Sequence, residues 1–173
     1  MSQWTTRKRY CGLCSEAPAE LHRPLSTIQW NTIPKKGKTV MRLANKVAII
    51  SGAASGMGAA TARIFAREGA RVVVADVLEH EGRQVANAIG ASARFEPLDV
   101  TTEEGWAAVL AATTRHFGKL DVLVNNAGIS GSAEQDFYST EAWHRIMAVN
   151  ATGVFFGIKY AIPAMVAMAA GRS

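Results

Sequence analysis

The sequence contains only two cysteines among 173 residues, Cys11 and Cys14. So few cysteines exclude a disulfide framework and favour a reducing compartment. No uninterrupted apolar run reaches the roughly 18 residues of a membrane span, so we expect no transmembrane helix and no membrane partner. The first residues lack the apolar core of a secretion signal, and we therefore expect a cytoplasmic location. Their Arg, Ser and Thr content keeps organelle targeting by this segment open as an alternative.

Side chains that bind metals are also scarce. Cys11-x-x-Cys14 has the spacing of half a zinc site or of a redox pair, but the sequence has no second pair. With His22 there are three candidate ligands, whereas a structural zinc site needs four. The other histidines fall on helical patterns without metal-binding spacing: His80, His116 and His144. We therefore predict no metal site.

Acidic residues are rare at the N-terminal end, where basic residues are concentrated. Residues 1–44 contain eight of the 19 lysines and arginines but only two of the 14 acids. The remaining residues are nearly neutral. Residues 1–40 also show no sustained hydrophobic period, so we interpret them as a basic, flexible extension of a domain at 41–173. Such an extension could tether nucleic acid, but the near-neutral domain does not favour that partner.

Short apolar runs alternate with helical patterns from Lys46 onward. Four runs predict strands: KVAII, RVVVAD, ARFEPLDV and LDVLVNN. The segments between them predict helices that end at Gly69, Gly90 and Gly118. We expect an α/β fold with a doubly wound parallel sheet of the Rossmann type, in the strand order 3-2-1-4, with right-handed crossovers.

Two further details concern the helices. Thr101-x-x-Glu104 predicts a capping box at the start of the third helix. A fifth helical pattern runs from about Thr140 to Ala169 and contains Pro163, which should bend the helix or lie where a missing hydrogen bond is tolerated. Its apolar stripe consists of Trp143, Met147, Val154, Ile158, Ala161 and Met165.

The glycine-rich stretch SGAASGMGAA, residues 51–60, connects the first predicted strand to the first predicted helix. A helix N-terminus presents free N–H groups and a partial positive charge, which suit a phosphate. Glycines allow a sharp turn and a close approach of the backbone to a pyrophosphate. The pattern therefore favours a nucleotide site, and a tight turn without a ligand is the alternative.

Asp76 ends the second predicted strand, 18 residues after Gly58. An acid at this point can accept hydrogen bonds from both hydroxyls of an adenosine ribose, although it could also simply cap the strand. The same carboxylate would repel a 2′-phosphate, and neither Ser55 nor Val77 supplies a cation to bind one. The sequence therefore predicts NAD rather than NADP.

Three motifs together resemble the short-chain dehydrogenase/reductase family. These are the glycine spacing G-x-x-x-G-x-G, the NNAG sequence at residues 125–128, and the opening MRLANKVAIISGAASGMG, in which Ser51 stands where Thr is commoner. The resemblance covers residues 43–173. It implies hydride transfer between NAD(H) and a secondary alcohol or ketone, with a steroid, a cyclic alcohol or a sugar as possible substrates.

The resemblance also implies which residues bind the cofactor. The glycine loop would line the pyrophosphate, Asp76 would hold the adenosine ribose, and Asp99 and Val100 would flank the adenine. The NNAG segment would run under the cofactor, with Asn125 bracing the sheet. The implied binding residues are Gly52, Ser55, Gly56, Met57, Gly58, Asp76, Asp99, Val100, Asn126, Ala127 and Gly128.

Asn150 falls on the apolar stripe of the long predicted helix. A buried amide there must be hydrogen-bonded, and a satisfied core asparagine is one interpretation. The family resemblance implies a sharper one, in which Asn150 belongs to a catalytic Asn-Ser-Tyr-Lys set and helps to hold a water in a proton relay.

The Ser and the Tyr-x-x-x-Lys pair of that set are missing. The three tyrosines, Tyr10, Tyr138 and Tyr160, are followed four positions later by Cys14, Ala142 and Ala164. A phenol with an ordinary pKa is a poor base at neutral pH without a nearby cation. We therefore interpret the chain as truncated after four strands and the long helix, and expect no turnover by the chain alone. A noncatalytic nucleotide-binding or interaction module is the alternative, and the intact parent is expected to be a homo-oligomer.

Overall fold

The computed structural model describes residues 41–130 and 139–170. Strands and helices alternate through most of this part of the chain. In chain order they are β1 (Val47–Ser51), α1 (Gly56–Arg67), β2 (Arg71–Asp76), α2 (Glu79–Ile89), β3 (Ala93–Pro97), α3 (Glu103–Phe117), β4 (Val122–Val124), α4 (Thr140–Met147), a π-helical segment (Ala148–Thr152) and α5 (Gly153–Ala170).

The four strands form one parallel sheet in the order β3-β2-β1-β4, which confirms the predicted order. Ile49 of β1 lies opposite Val73 of β2 on one side and Leu123 of β4 on the other. All five residues of β1 are buried. Continuous burial is what a parallel strand needs when helices cover both faces, and it explains why KVAII shows no polar alternation.

The sheet separates two apolar cores. Ile49 and Val73 point to one face, where they pack with Trp106 of α3. Ile50 and Val74 point to the opposite face, towards α1 and α2. Alternate residues of a strand point to opposite faces, so one apolar run supplies both cores. This doubly wound α/β arrangement is the fold class predicted from the sequence.

The third helix begins differently from its prediction. Thr102, not Thr101, is the N-cap, and its hydroxyl accepts a hydrogen bond from the Gly105 N–H at 3.2 Å. The Thr101 hydroxyl instead donates to Asp99 Oδ1 at 2.7 Å. The capping-box prediction was therefore wrong, because Asp99 competes locally for the Thr101 side chain.

The long helical pattern is also not uniform. It runs from Thr140 to Ala170 but passes through the π-helical segment, which leaves α4 and α5 on either side. The helix continues through Pro163. Trp143 and Ile158, two members of the predicted apolar stripe, are exposed. Two other members, Ala161 and Met165, pack in the core as predicted, and the inward face also carries Gly153 and Gly157, which were not part of the stripe.

Close approach explains those small residues. A Cβ on Gly157 would lie 2.9 Å from the Trp106 ring and 2.5 Å from Asn125 Oδ1. A Cβ on Gly153 would lie 2.9 Å from the Val100 side chain. The predicted apolar stripe and the packed face therefore overlap only in part, because the close approach of α5 to Trp106 requires a glycine, not a large side chain, at position 157.

The helical stretch Thr140–Ala167 is long and apolar enough, by length and composition, to cross a membrane, and 17% of its most apolar part is buried. The lack of an uninterrupted apolar run in the sequence therefore did not exclude a helix of this kind. Length and composition do not distinguish a membrane span from a helix that packs in a protein core, so the absence of a membrane partner stays a prediction.

Candidate functional site

A cavity of about 450 Å³ opens at the carboxyl ends of β1, β2 and β4. Parallel α/β sheets bind ligands at this edge, where the strand order reverses. Ten of the eleven predicted cofactor residues line it: Gly52, Ser55, Gly56, Met57, Asp76, Asp99, Val100, Asn126, Ala127 and Gly128. Gly58 lies behind the cavity wall, and Asn150 is next to Val149, which lines the cavity.

The glycine loop forms the floor of the cavity. Ser55 precedes α1 in an extended conformation, and its side chain makes no capping hydrogen bond to the helix. The first N–H groups of α1 are therefore not satisfied by a side-chain cap. Gly52 and Gly56 have φ values of +65° and +52°, a conformation that favours glycine. The chain thus presents a helix N-terminus to the cavity through a turn that side chains would strain.

Gly58 explains how the loop is kept close to the fourth strand. A Cβ at this position would lie 2.1 Å from the Gly52 carbonyl oxygen and 2.6 Å from Asn126 Nδ2. No real Cβ fits there, so only glycine lets α1 approach the loop this closely. Gly58 therefore acts on the shape of the cavity without lining it.

Ser51 joins the two loops that form the cavity. Its hydroxyl accepts hydrogen bonds from the N–H groups of Asn126 and Ala127, both at 3.1 Å, and donates to the Val124 carbonyl at 3.4 Å. The Asn126 side-chain amide donates back to the Ser51 and Gly52 carbonyls at 3.1 Å each. Ser51 was not predicted to lie at the site. It is the polar residue that ends an otherwise apolar strand, and this feature of the sequence could have indicated its role.

Asp76 binds the backbone on both sides of the cavity. Its Oδ2 accepts from the Ala54 N–H at 2.9 Å, and its Oδ1 accepts from the Leu78 N–H at 3.0 Å. The first bond ties the glycine loop to the end of β2. Asp76 therefore caps its strand and also faces the cavity, so the two interpretations made from the sequence are compatible.

Asp99 has a different set of contacts. Its Oδ1 accepts from the N–H and the hydroxyl of Thr101, at 2.9 and 2.7 Å. The Val100 carbonyl accepts from the Trp106 indole N–H at 3.1 Å. These bonds fix the segment after β3, which forms the wall of the cavity opposite the glycine loop.

Asn150 is exposed as a residue, which corrects the expectation that it is a buried amide. It lies in the π-helical segment, an irregularity that occurs often at functional sites. Its Oδ1 accepts from the Ile129 N–H at 2.9 Å, and its Nδ2 donates to the Ile129 carbonyl at 2.8 Å. Both amide atoms therefore hold the segment that follows β4, where Gly128 and Ile129 line the cavity.

Asn125 does not show the bracing bond that was expected of it. Its Oδ1 is buried and has no hydrogen-bond partner among the described residues. The same atom lies against Gly157 of α5, at 2.5 Å from the position of a Cβ. Asn125 thus limits how large residue 157 can be.

Apolar residues complete the cavity and were not predicted from the sequence as part of it. They surround the polar groups and include Val77, Leu78, Leu98, Ile129 and Val149. Flat apolar walls with a few polar groups are typical of nucleotide sites. In residues 41–130 and 139–170, no group of three His, Cys, Asp or Glu side chains is placed to bind a metal ion. Cys11, Cys14 and His22 lie outside the described residues.

The short-chain dehydrogenase family model matches residues 46–172. The trans-4-hydroxycyclohexanecarboxylate dehydrogenase of Sinomonas cyclohexanicum is 48% identical over 141 residues, which are 76% of this chain and 54% of that protein. The 3-alpha-(or 20-beta)-hydroxysteroid dehydrogenase of Mycobacterium bovis is 45% identical over 124 residues, 72% of this chain and 48% of that protein. The chain thus spans about half the length of these curated relatives.

Two solved structures also align with most of this chain and with about half of their own length. The structure of a hydroxysteroid dehydrogenase from Escherichia coli aligns with a TM-score of 0.67 at 31% identity, over 75% of this chain and 56% of that one. The 3-ketoacyl-(acyl-carrier-protein) reductase from Brucella melitensis, complexed with NADH, aligns with a TM-score of 0.65 at 39% identity, over 70% of this chain and 50% of that one.

Proposed function

Because the chain belongs to the short-chain dehydrogenase family, we propose that it is the nucleotide-binding part of an oxidoreductase that transfers hydride between NAD(H) and a secondary alcohol or ketone. The observation that carries this proposal is the cavity at the carboxyl edge of the sheet, which combines a helix N-terminus, a glycine turn and the Asp76 carboxylate. A nicotinamide cofactor, when bound, supplies the acceptor or donor of the hydride.

The residues of the cavity fit such a cofactor. The uncapped N–H groups at the start of α1 and its partial positive charge would hold the pyrophosphate. The glycine turn keeps Cβ atoms out of the phosphate path, since Gly56 has open space beside it. Leu98 and Val100 would offer an apolar surface to the adenine.

Asp76 supports NAD over NADP. Each of its carboxylate oxygens already accepts one backbone N–H. A carboxylate has about four acceptor positions, so both oxygens can still accept a ribose hydroxyl. A 2′-phosphate would bring like charge to the same place, and the neighbouring Val77 and Ser55 cannot neutralise it. One relative of known structure was solved with NADH, which supports a nicotinamide cofactor but does not decide between the two.

The substrate class rests on the relatives' names. One is named for trans-4-hydroxycyclohexanecarboxylate and another for hydroxysteroids, and both names describe secondary alcohols of cyclic compounds. We propose a cyclic secondary alcohol or the corresponding ketone for the whole protein. A sugar remains within the same reaction class.

Asn150 is proposed as a positioning residue. Its amide pairs with both backbone groups of Ile129, which keeps Gly128 and Ile129 along the cavity wall. A part in a proton relay stays a prediction for the whole protein, with a Ser and a Tyr-x-x-x-Lys pair as its partners. A noncatalytic nucleotide-binding module is the second candidate, and the cavity by itself would serve it equally well.

Two further proposals follow from the sequence. The low cysteine content supports a reducing, cytoplasmic location. The exposed apolar residues of α4 and α5 support a homo-oligomeric parent.

The experiment is a calorimetric titration of the folded chain with NADH and NADPH. We expect tighter binding of NADH, a clear loss of NADH affinity in Asp76→Ala, and improved NADPH binding in Val77→Arg. Glu79→Gln is the matched control, because this exposed acid pairs with Arg83 and does not line the cavity. Tighter binding of NADPH by the unmodified chain would contradict the cofactor assignment.

An activity assay separates the two candidate functions. We expect no turnover of cyclic alcohols by the chain alone, and turnover by a version extended with a Ser and a Tyr-x-x-x-Lys segment from the cyclohexanecarboxylate relative. General acid/base catalysis is worth about 10²–10⁴-fold. Turnover by the unextended chain would mean that another group acts as the base.

A further inference from the structure

A second concave region lies between the C-terminal halves of α1 and α2. It encloses about 320 Å³ and is lined by Arg63, Ala66, Arg67, Ala88, Ile89 and Ser92. None of these residues lines the nucleotide cavity. At 1.5 Å per residue, Arg63 lies about 10 Å along α1 from its first residue, Gly56, so the two regions are separate.

Two positive charges without partners mark this groove. Arg63 and Arg67 are four residues apart and therefore lie on the same face of α1, where like charges repel. Among the described residues, neither guanidinium has a hydrogen bond or an ion pair. Three other arginines, Arg42, Arg83 and Arg94, bind carboxylates. The charges of Arg63 and Arg67 are thus available for a ligand.

The carboxylate that interacts electrostatically with Arg67 is that of Glu68, which does not line the groove. No carboxylate lines the groove. The acid that follows Arg67 in the chain, Glu68, already accepts three hydrogen bonds from Arg42. Arg67 lies in the last turn of α1 and offsets its dipole there, but Arg63 lies one residue outside that turn. The helix dipole therefore does not account for both arginines.

The remaining lining has two kinds of surface. Ala66, Ala88 and Ile89 are apolar, whereas Ser92 adds a hydroxyl. The Ser92 carbonyl is already used, since it accepts from the Val72 N–H at 2.8 Å. The groove thus combines two guanidiniums and one hydroxyl with a small apolar surface. Guanidiniums match the geometry of oxyanions, which they bind through two parallel hydrogen bonds.

We propose that this groove binds a small phosphate monoester. Its phosphate lies against Arg63, Arg67 and the Ser92 hydroxyl, and its short organic part lies on the alanines and Ile89. A phosphate monoester carries a charge of about −1.5 to −2 at neutral pH, which balances two guanidiniums better than the single charge of a carboxylate. Three groups that can donate hydrogen bonds also match the three terminal oxygens of a monoester.

The test is an NMR titration of the isotope-labelled chain with butyl phosphate, performed with and without excess NADH. The excess NADH occupies the glycine loop, where phosphate could otherwise bind. We expect saturable shifts of the Arg63 and Arg67 side-chain N–H signals and of the Ser92 amide under both conditions. Arg63→Gln or Arg67→Gln should weaken binding about tenfold, the effect of losing one charge-assisted contact.

Arg115→Gln is the matched control, because Arg115 is an exposed arginine in the last turn of α3 and lies outside the groove. Glutamine is a good helix former, so all three variants should keep the circular dichroism of the unmodified chain. We expect the control to bind butyl phosphate within about twofold of the unmodified chain.

Four outcomes would overturn the proposal. The first is the absence of saturable shifts, and the second is equal binding of butyl phosphate by the groove variants and the control. The third is equal or tighter binding of butyrate, a carboxylate of similar size that is titrated in the same way. The fourth is loss of the butyl phosphate shifts when NADH is added. Vesicles containing phosphatidic acid distinguish the source of the phosphate. Binding to these vesicles without binding of butyl phosphate would also contradict a soluble ester as the ligand.

Discussion

The two neighbours of the central strand β1 differ in how completely they are covered. On one side, Val72, Val73 and Val74 of β2 are fully buried between helices. On the other side, all three residues of β4 are only half-buried. Beyond β4, α5 exposes large apolar residues, with Phe155 and Val166 both 60% exposed. Large apolar residues are exposed on both sides, such as Val77 after β2, but only the β2 side has a neighbouring strand whose valines are fully buried.

The hydrogen bonds that hold the cavity together are also distributed unequally between the two sides. Asp76 and the glycine loop lie on the covered side, where the Ala54 N–H joins them. Ser51 of β1 accepts hydrogen bonds from Asn126 and Ala127, which follow β4, and so links the two sides. Among the described residues, the Asn150 side chain forms hydrogen bonds only with Ile129, which lines the same cavity. We therefore expect substitutions to have unequal effects on the two sides.

The largest effect is expected for Gly58→Val. The new side chain would overlap the Gly52 carbonyl and the Asn126 amide, so the loop and α1 must separate. We expect NADH binding to be lost in calorimetry and the free energy of unfolding to fall by about 1–3 kcal/mol or more. Ala60→Val is the control, since Ala60 is an exposed residue of the same helix and does not line the cavity. Normal NADH binding by Gly58→Val would show that the loop is only a turn.

A smaller effect is expected for Gly157→Val on the other side of the sheet. Its side chain would meet the Trp106 ring and Asn125 Oδ1. We expect a loss of about 1–3 kcal/mol in chemical denaturation, with NADH affinity changed less than in Gly58→Val. Ile158→Val, at an exposed position of the same helix, should cost less than about 0.5 kcal/mol. An equal loss in both variants would contradict the close packing of α5 on Trp106.

The exposed apolar face should affect association rather than stability. Phe155→Gln combined with Ile162→Gln replaces two side chains that face solvent. We expect the free energy of unfolding to change by less than about 0.5 kcal/mol per site, and self-association in analytical ultracentrifugation to decrease. A strong loss of stability with unchanged association would mean that these residues are packed inside the folded chain.

The smallest effect concerns an exposed cluster between α3 and α5. Glu103 accepts hydrogen bonds from Lys159 Nζ at 2.5 Å and from the Tyr160 hydroxyl at 2.8 Å. These bonds, first that of Lys159 and then that of Tyr160, lower the pKa of Glu103. A lowered carboxyl pKa stabilises the fold above its unfolded pKa of about 4.3, and this contribution is lost as the pH falls through the folded pKa.

Thermal unfolding measured from pH 7 downward checks this cluster. We expect a small decrease in Tm below about pH 4 that is reduced in Glu103→Gln. Glu104→Gln is the control, because among the described residues this neighbouring acid has no hydrogen bond to α5, and it should keep the pH dependence of the unmodified chain. Identical pH profiles for all three proteins would contradict a contribution from Glu103.

The sequence by itself determined the alternation of strands and helices, the sheet order and the positions of the glycines in the loop after β1. These features depend on local pattern: apolar runs form buried parallel strands, and glycines are needed where φ is positive, as at Gly52. The position of Asp76 at the end of β2 was predictable for the same reason, because the apolar run RVVVAD ends at this residue.

The tertiary structure alone decided which side chains meet across long separations. Ser51 binds backbone groups 75 and 76 residues away, and Asn150 pairs with Ile129 rather than with the helical core. The inward face of α5 was predicted only in part, because Ala161 and Met165 pack inward whereas Ile158 is exposed. The spacing of apolar residues within a helix does not show which residues of other elements it packs against. The surroundings of Arg63 and Arg67 likewise depend on the tertiary structure. No carboxylate lines their groove, and the nearby Glu68 is hydrogen-bonded to Arg42.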